Sequence, residues 1–167
     1  MSGYDSRVKD QELYAAWLNL ARVFATIRTE LDRTLERETG IGLSEGEVLC
    51  RLVCASPQCL RMSDLADRLC MAQSGMTRVV DRLVDRGLVV REVRPGNRRT
   101  IDAHPTAAGR AAFERISPIY RRIIHDRFGQ RLRSEDAAVL RVLLRTVLEG
   151  LGTTEDIPWT NELRTTG

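Results

Sequence analysis

Lysine is nearly absent from this chain: Lys9 stands alone against 25 arginines in 167 residues. A coding bias toward GC-rich codons accounts for that more simply than selection for the forked guanidinium. Histidine is also scarce. His104 and His125 are the only two, too few for most acid–base schemes, and neither neighbours a motif serine or cysteine. No apolar run approaches the roughly 18 residues of a membrane span, and the N-terminus lacks the positive–apolar–small order of a secretory signal. A soluble, cytoplasmic protein is therefore expected. The chain also lacks a phosphate-cradling glycine loop, a dinucleotide fingerprint and a hydrolase elbow, so no enzyme and no cofactor are expected. Cys50, Cys54, Cys59 and Cys70 contain no C-x2-C pair, which speaks against a zinc site, and no metal is expected. Buried structural thiols are the default reading. Cys59, in the loop after Pro57, is the candidate exposed, redox-active thiol.

What is present is a core-forming composition, 43% hydrophobic and 29% charged with a formal net charge of +3, compatible with one ordinary domain plus a helical layer. An apolar stripe at Leu13, Trp17, Leu20, Phe24, Ile27, Leu31 and Leu35 predicts a helix of about 25–28 residues, ended by Gly40 and Gly42. So long a stripe is expected to pack against a partner helix.

Leu43 to Val48 carries a capping-box pattern in Ser44 and Glu47, predicting a helix to about Ala55, before Ser56-Pro57. Ser63 is expected to cap a short helix running from Asp64 to Cys70. After the turn Met71-Ala72 a second helix should end at Gly87 in a left-handed cap. It turns Met76, Val79, Val80, Leu83 and Val84 inward and Gln73, Ser74, Thr77, Arg78 and Asp81 outward.

Leu88–Val90 and Thr100–Ala103 then predict two strands around the turn Arg94-Pro95-Gly96-Asn97, with the return strand cut short at His104-Pro105. Residues 91–99 hold four arginines, Arg91, Arg94, Arg98 and Arg99, against Glu92 alone. A loop with that excess faces phosphate well. The order helix–turn–helix–strand–wing–strand suits a module that lays a helix in a DNA groove with an arginine beside it. Asp81 is expected to support arginines, since a carboxylate facing phosphates is repelled.

Thr106 should cap a further helix to about Phe128, kinked at Pro118. Ser134, with Glu135 and Asp136 behind it, should start a last helix with the stripe Val139, Leu140, Leu143, Leu144, Val147 and Leu151. The polar tail beyond Gly152 offers Ile157 and Trp159 as docking points.

The segment QSGMTRVVDRLVDRGLVVREVRPGNRRT, followed by TAAG, resembles the MarR/SlyA family of bacterial transcriptional regulators. The resemblance spans about residues 13–150. It implies a mainly α fold with a small β-hairpin wing, in which a winged helix–turn–helix is flanked by N- and C-terminal dimerisation helices. The corresponding divisions are 11–40, 43–105, 106–152 and a tail, 153–167. It further implies a homodimeric regulator, a repressor by expectation, acting on double-stranded DNA at a pseudo-palindromic operator and contacting it through Ser63, Gln73, Ser74, Thr77, Arg78, Arg94, Asn97, Arg98 and Arg99. Relatives carry an Asp-x-Arg in the wing; here Asn97 replaces the acid and Arg99 keeps the arginine. A small aromatic or anionic effector is implied in a cleft lined by Trp17, Phe24, Arg28, Leu49 and Val53, although Trp17 and Phe24 also suit a dimer core. Peroxide-sensing relatives use a first-helix cysteine that this chain lacks. A thiol-based redox regulator and a winged-helix protein–protein module are the alternatives.

Overall fold

A computed structural model describes residues 2–94, 96 and 100–152, with side chains from residue 10 onward. The elements run α1 (Ser2–Thr39), α2 (Leu43–Val53), β1 (Leu60–Arg61), α3 (Met62–Arg68), α4 (Gln73–Asp85), β2 (Val89–Val93), β3 (Ile101–Pro105), α5 (Ala107–Arg127) and α6 (Ser134–Gly150), with a 3-10 turn (Gly129–Arg131) before α6. The fold is mainly helical with a three-stranded antiparallel wing sheet, and α1 packs against α5. Among the described residues no helix is long and apolar enough to cross a membrane.

The lower third of α1 belongs to the core: Leu31 and Leu35 are buried there with Leu49, Leu52, Leu65, Met76, Leu83 and Ile116. Higher up, the same stripe emerges into solvent, leaving Leu13, Trp17, Leu20 and Phe24 exposed. On α6 no residue is buried, and Val139, Leu143, Val147 and Leu151 are all exposed.

At the start of α2 the capping box is not formed. Gly42 is the N-cap; Asp32, on α1, accepts the Leu43 N–H at 2.8 Å. Glu47 instead receives a forked pair of bonds from Arg28, at 2.7 and 3.2 Å. Long-range partners thus engage the Leu43 N–H and the Glu47 carboxylate in place of a local box. Ser63 and Ser134 likewise fall just inside their helices, whose N-caps are Arg61 and Arg133. At Thr106 the local signal holds: its hydroxyl accepts the Gly109 N–H at 3.0 Å. Gly87 holds too. At φ +67° it closes α4, with Gly87 N–H bonded to Val84 and Leu88 N–H to Leu83.

The sheet exceeds the expected hairpin. β1, only two residues long, adds to β3 with Leu60 opposite Ala103 and Arg61 opposite Asp102, giving the order β1-β3-β2. β3 is not cut short at His104-Pro105; His104 pairs with Val90 and Pro105 with Val89. The Thr106 N–H bond to Leu88 C=O sets the alternation so that the Pro105 nitrogen points away from β2. No strand pairs with Pro105 on that side, because β1 reaches only Asp102 and Ala103. A proline there interrupts no ladder bond. α5 is also unbroken through Pro118, packed along α1 and α2.

Candidate nucleic-acid interface

α4 has a sharply divided surface. Met76, Val79, Val80 and Leu83 are buried against α2 and α3, which turns Gln73, Ser74, Thr77 and Arg78 outward, all exposed. The Thr77 hydroxyl donates to its own helix at the Gln73 carbonyl (2.9 Å), so its oxygen stays available as an acceptor. Arg78 makes no recorded hydrogen bond or ion pair with the described residues and projects an unneutralised charge. Ser63, on α3, is exposed and donates to Asp64 at 3.1 Å.

The wing strand is fastened to this helix. Arg91, on β2, donates to the Asp81 carboxylate and, at 3.1 Å, to the Thr77 carbonyl. Asp81 therefore holds an arginine, as expected. Just past the end of β2, Arg94 forks onto Asp102, Nε to Oδ2 at 2.8 Å and Nη2 to Oδ1 at 2.9 Å. That bond holds the Arg94 guanidinium above its ordinary pKa. The four-arginine cluster of the sequence is thus not four free cations, since Arg91 and Arg94 are bound to acids of the chain itself. Asn97, Arg98 and Arg99 lie outside the described residues, as do Ile157 and Trp159 of the tail.

Asp102 and Glu45 are the two important residues that the sequence reading missed. Both are buried acids. Glu45 accepts from Arg82 Nε and Arg86 Nη1, each at 2.9 Å, pinning the end of α4 to the start of α2. The one available signal for Asp102 was a carboxylate in the middle of a short strand, where an apolar residue would ordinarily alternate inward.

The expected effector cleft is not assembled in the single chain. Trp17 and Phe24 are exposed, and Val53 is half-buried. Arg28 lies 5.9 Å from the Phe24 ring centre while bonded to Glu47. Leu49 is closed inside the core, its side chain toward Gly109. A hollow of about 460 Å³ opens elsewhere, between the ends of α1 and α4 and the start of α2, and charged residues such as Asp32, Glu36, Glu45 and Arg86 line it. The thiols differ from expectation as well. Cys70, in the turn between α3 and α4, is the exposed cysteine; Cys59 is half-buried and Cys50 fully buried.

A helix–turn–helix with an outward polar face, backed by a sheet clamped to it, defines a winged-helix DNA-binding module. Residues 43–101 match the MarR family. The multiple antibiotic resistance protein MarR of Escherichia coli is 27% identical over 140 residues, 82% of this chain and 96% of that protein. The HTH-type transcriptional regulator YkoM of Bacillus subtilis is 31% identical over 106 residues, 62% of this chain and 68% of its own. Among solved structures, Sco3205, a MarR family transcriptional regulator from Streptomyces coelicolor in complex with DNA, superposes with a TM-score of 0.79 at 28% identity, covering 90% of this chain and 94% of that one. The chain belongs to the MarR family of winged helix–turn–helix, DNA-binding transcriptional regulators, which are not enzymes.

Proposed function

We propose that this regulator is a homodimeric repressor of a pseudo-palindromic operator. Each α4 enters a major groove with half-sites about one helical turn apart. Gln73, Ser74, Thr77 and Arg78 meet bases and phosphates there, Ser63 meets the backbone, and Arg98 and Arg99 serve the wing. The supporting observation is the outward face of α4, polar throughout and carrying an unpaired guanidinium on a helix otherwise fixed by Asp81 and Glu45. DNA binding by Sco3205 at 28% identity supports the same use here. The dimer is supported by the exposed apolar faces of α1 and α6, in divisions 11–40 and 106–152. That amount of exposed apolar surface is unusual for a monomer. Release by a small aromatic or anionic molecule completes the reading, with a cleft formed only when a second subunit meets Trp17, Phe24 and Arg28.

Selection of genomic DNA fragments by the purified protein tests the reading. Recovery of a shared inverted repeat is expected, with affinity falling steeply as salt rises and transcription from that site rising when the gene is deleted. Fragments with no common sequence, or binding indifferent to salt, would overturn it.

A further inference from the structure

We propose that Arg94 is a positioning residue, which acts through Asp102 to hold the base of the wing and does not itself contact DNA. The inference rests on the DNA-binding reading above and replaces the direct DNA contact that the family resemblance implies for this arginine.

Arg94 follows the last residue of β2, and its N–H bonds the Thr100 carbonyl at 2.9 Å across the base of the wing. Thr100 is its cross-strand partner in the continuing ladder, which makes Asp102 the diagonal neighbour on the same face of β3. Across that diagonal the guanidinium places two parallel bonds, 2.8 and 2.9 Å, on both oxygens of one carboxylate. Such a fork fixes the orientation of both planes as well as their distance.

The carboxylate is itself well held. Asp102 is 7% exposed and sits in the central strand, opposite Glu92 on β2 and Arg61 on β1. With Ala103, it is one of two β3 residues paired with strands on both sides. A buried carboxylate is costly unless paired, and Arg94 is its recorded partner among the described residues.

Two consequences separate this arrangement from a phosphate contact. The charge of Arg94 is compensated within the chain, unlike that of Arg78. Its anchor is an acid, which phosphates would repel. If Arg94 gripped DNA directly, Asp102 would be a hindrance and its neutralisation would strengthen binding. If the pair holds the wing, the same neutralisation weakens binding. The sheet then carries two guanidinium clamps: Arg91, at the middle of β2, ties it to α4, and Arg94, just past its end, ties the wing base to β3.

The test measures Kd for a duplex selected from a randomised pool by the unmutated chain. Arg94→Ala, Arg94→Lys, Asp102→Asn and the double variant Arg94→Ala/Asp102→Asn are compared with it, well below their melting temperatures. Stoichiometric titration corrects each value for the competent fraction, which removes a merely structural loss. Positioning predicts that all three single variants weaken binding by similar factors, on the order of tenfold, and that the double variant is no weaker than either parent. Lysine fails because it keeps the charge but cannot make the fork. Binding of Asp102→Asn equal to or tighter than the unmutated chain, or near-normal binding of Arg94→Lys, would overturn the proposal while leaving the DNA-binding reading intact. Should Asp102→Asn not fold, Asp102→Glu takes its place, keeping the charge but displacing the carboxylate from the fork, and affinity equal to or tighter than that of the unmutated chain would overturn the proposal. Failure of the unmutated chain to select any duplex would overturn both readings.

Discussion

Arg82 on α4 donates from Nε to Oε1 of Glu45 on α2 across 2.9 Å, and the acid is 6% exposed. Arg86 donates to the other carboxylate oxygen, also at 2.9 Å, so one buried group holds the C-terminal end of the helix that carries Gln73, Ser74, Thr77 and Arg78.

Glu45→Ala should therefore lower unfolding stability by about 1–3 kcal/mol. The cost stays below that of a fully buried pair because both arginines keep access to water, with side-chain exposures of 56% and 39%. Glu45→Gln, which keeps the shape and one acceptor, should lose about half as much. Urea denaturation checks both. An alanine variant as stable as the parent would show the pair to be incidental to the placing of α4.

Gly109→Ala should be among the most damaging single substitutions in the chain. A Cβ there would lie 2.0 Å from the Leu88 carbonyl oxygen, which is held in place by the Thr106 N–H at 3.0 Å. The oxygen cannot retreat without opening the junction between β2 and α5. The expected loss is about 3 kcal/mol, at the upper end for overpacking. Gly46→Ala is the control: its Cβ would meet side-chain methyls alone, Ile116 Cγ2 at 3.4 Å, Ile116 Cδ1 at 3.6 Å and Leu35 Cδ1 at 4.0 Å, and alanine's helix preference offsets the crowding. Thermal melts that rank the two in the opposite order would contradict the packing at Leu88.

These pairs explain what was legible in the sequence and what was not. α4, its closing Gly87 and the Thr106 cap were readable because each signal and its partner lie within a few residues. Ser44 and Glu47 spell a capping box, yet on α1 Asp32 accepts the Leu43 N–H, 11 residues away, and Arg28 donates to Glu47, 19 residues away. β1 had no pattern to read. Two residues cannot show a period, and their partners, Asp102 and Ala103, lie far along the chain. Pro105 reads as a strand terminator because the side on which its missing N–H falls is set by ladder parity, which sequence does not display. α4 and its outward polar face are legible in the sequence, while the number of free arginines in the wing is not. Which arginines are bound by acids becomes visible only after the strands are paired.

Leu143→Asp should dissociate the proposed dimer. Leu143 is 59% exposed in the single chain and buries nothing of the subunit's own core. A charge there costs little in the monomer but about 2–4 kcal/mol or more against an apolar partner face. Sedimentation equilibrium should show a monomer at concentrations where the parent is dimeric. Operator affinity should fall at least about a hundredfold, because the second half-site no longer benefits from high local concentration. An unchanged dimer would place the interface elsewhere than α6.

Arg78→Ala should weaken operator binding by about 1–3 kcal/mol without altering stability, since Arg78 is exposed and bonded to nothing recorded among the described residues. Arg78→Lys separates the two ways in which a guanidinium can act. A phosphate contact needs only a cation, so lysine should restore most of the affinity, while alanine lowers the salt slope by about one unit. A forked contact to a guanine edge needs two coplanar donors; lysine would then restore affinity less well and would relax the preference at one base pair of each half-site. Competition against duplexes substituted one position at a time distinguishes these outcomes. The position of Arg78, five residues into α4 beside Ser74 and Thr77, favours the base edge, because the first turns of a recognition helix lie deepest in the groove.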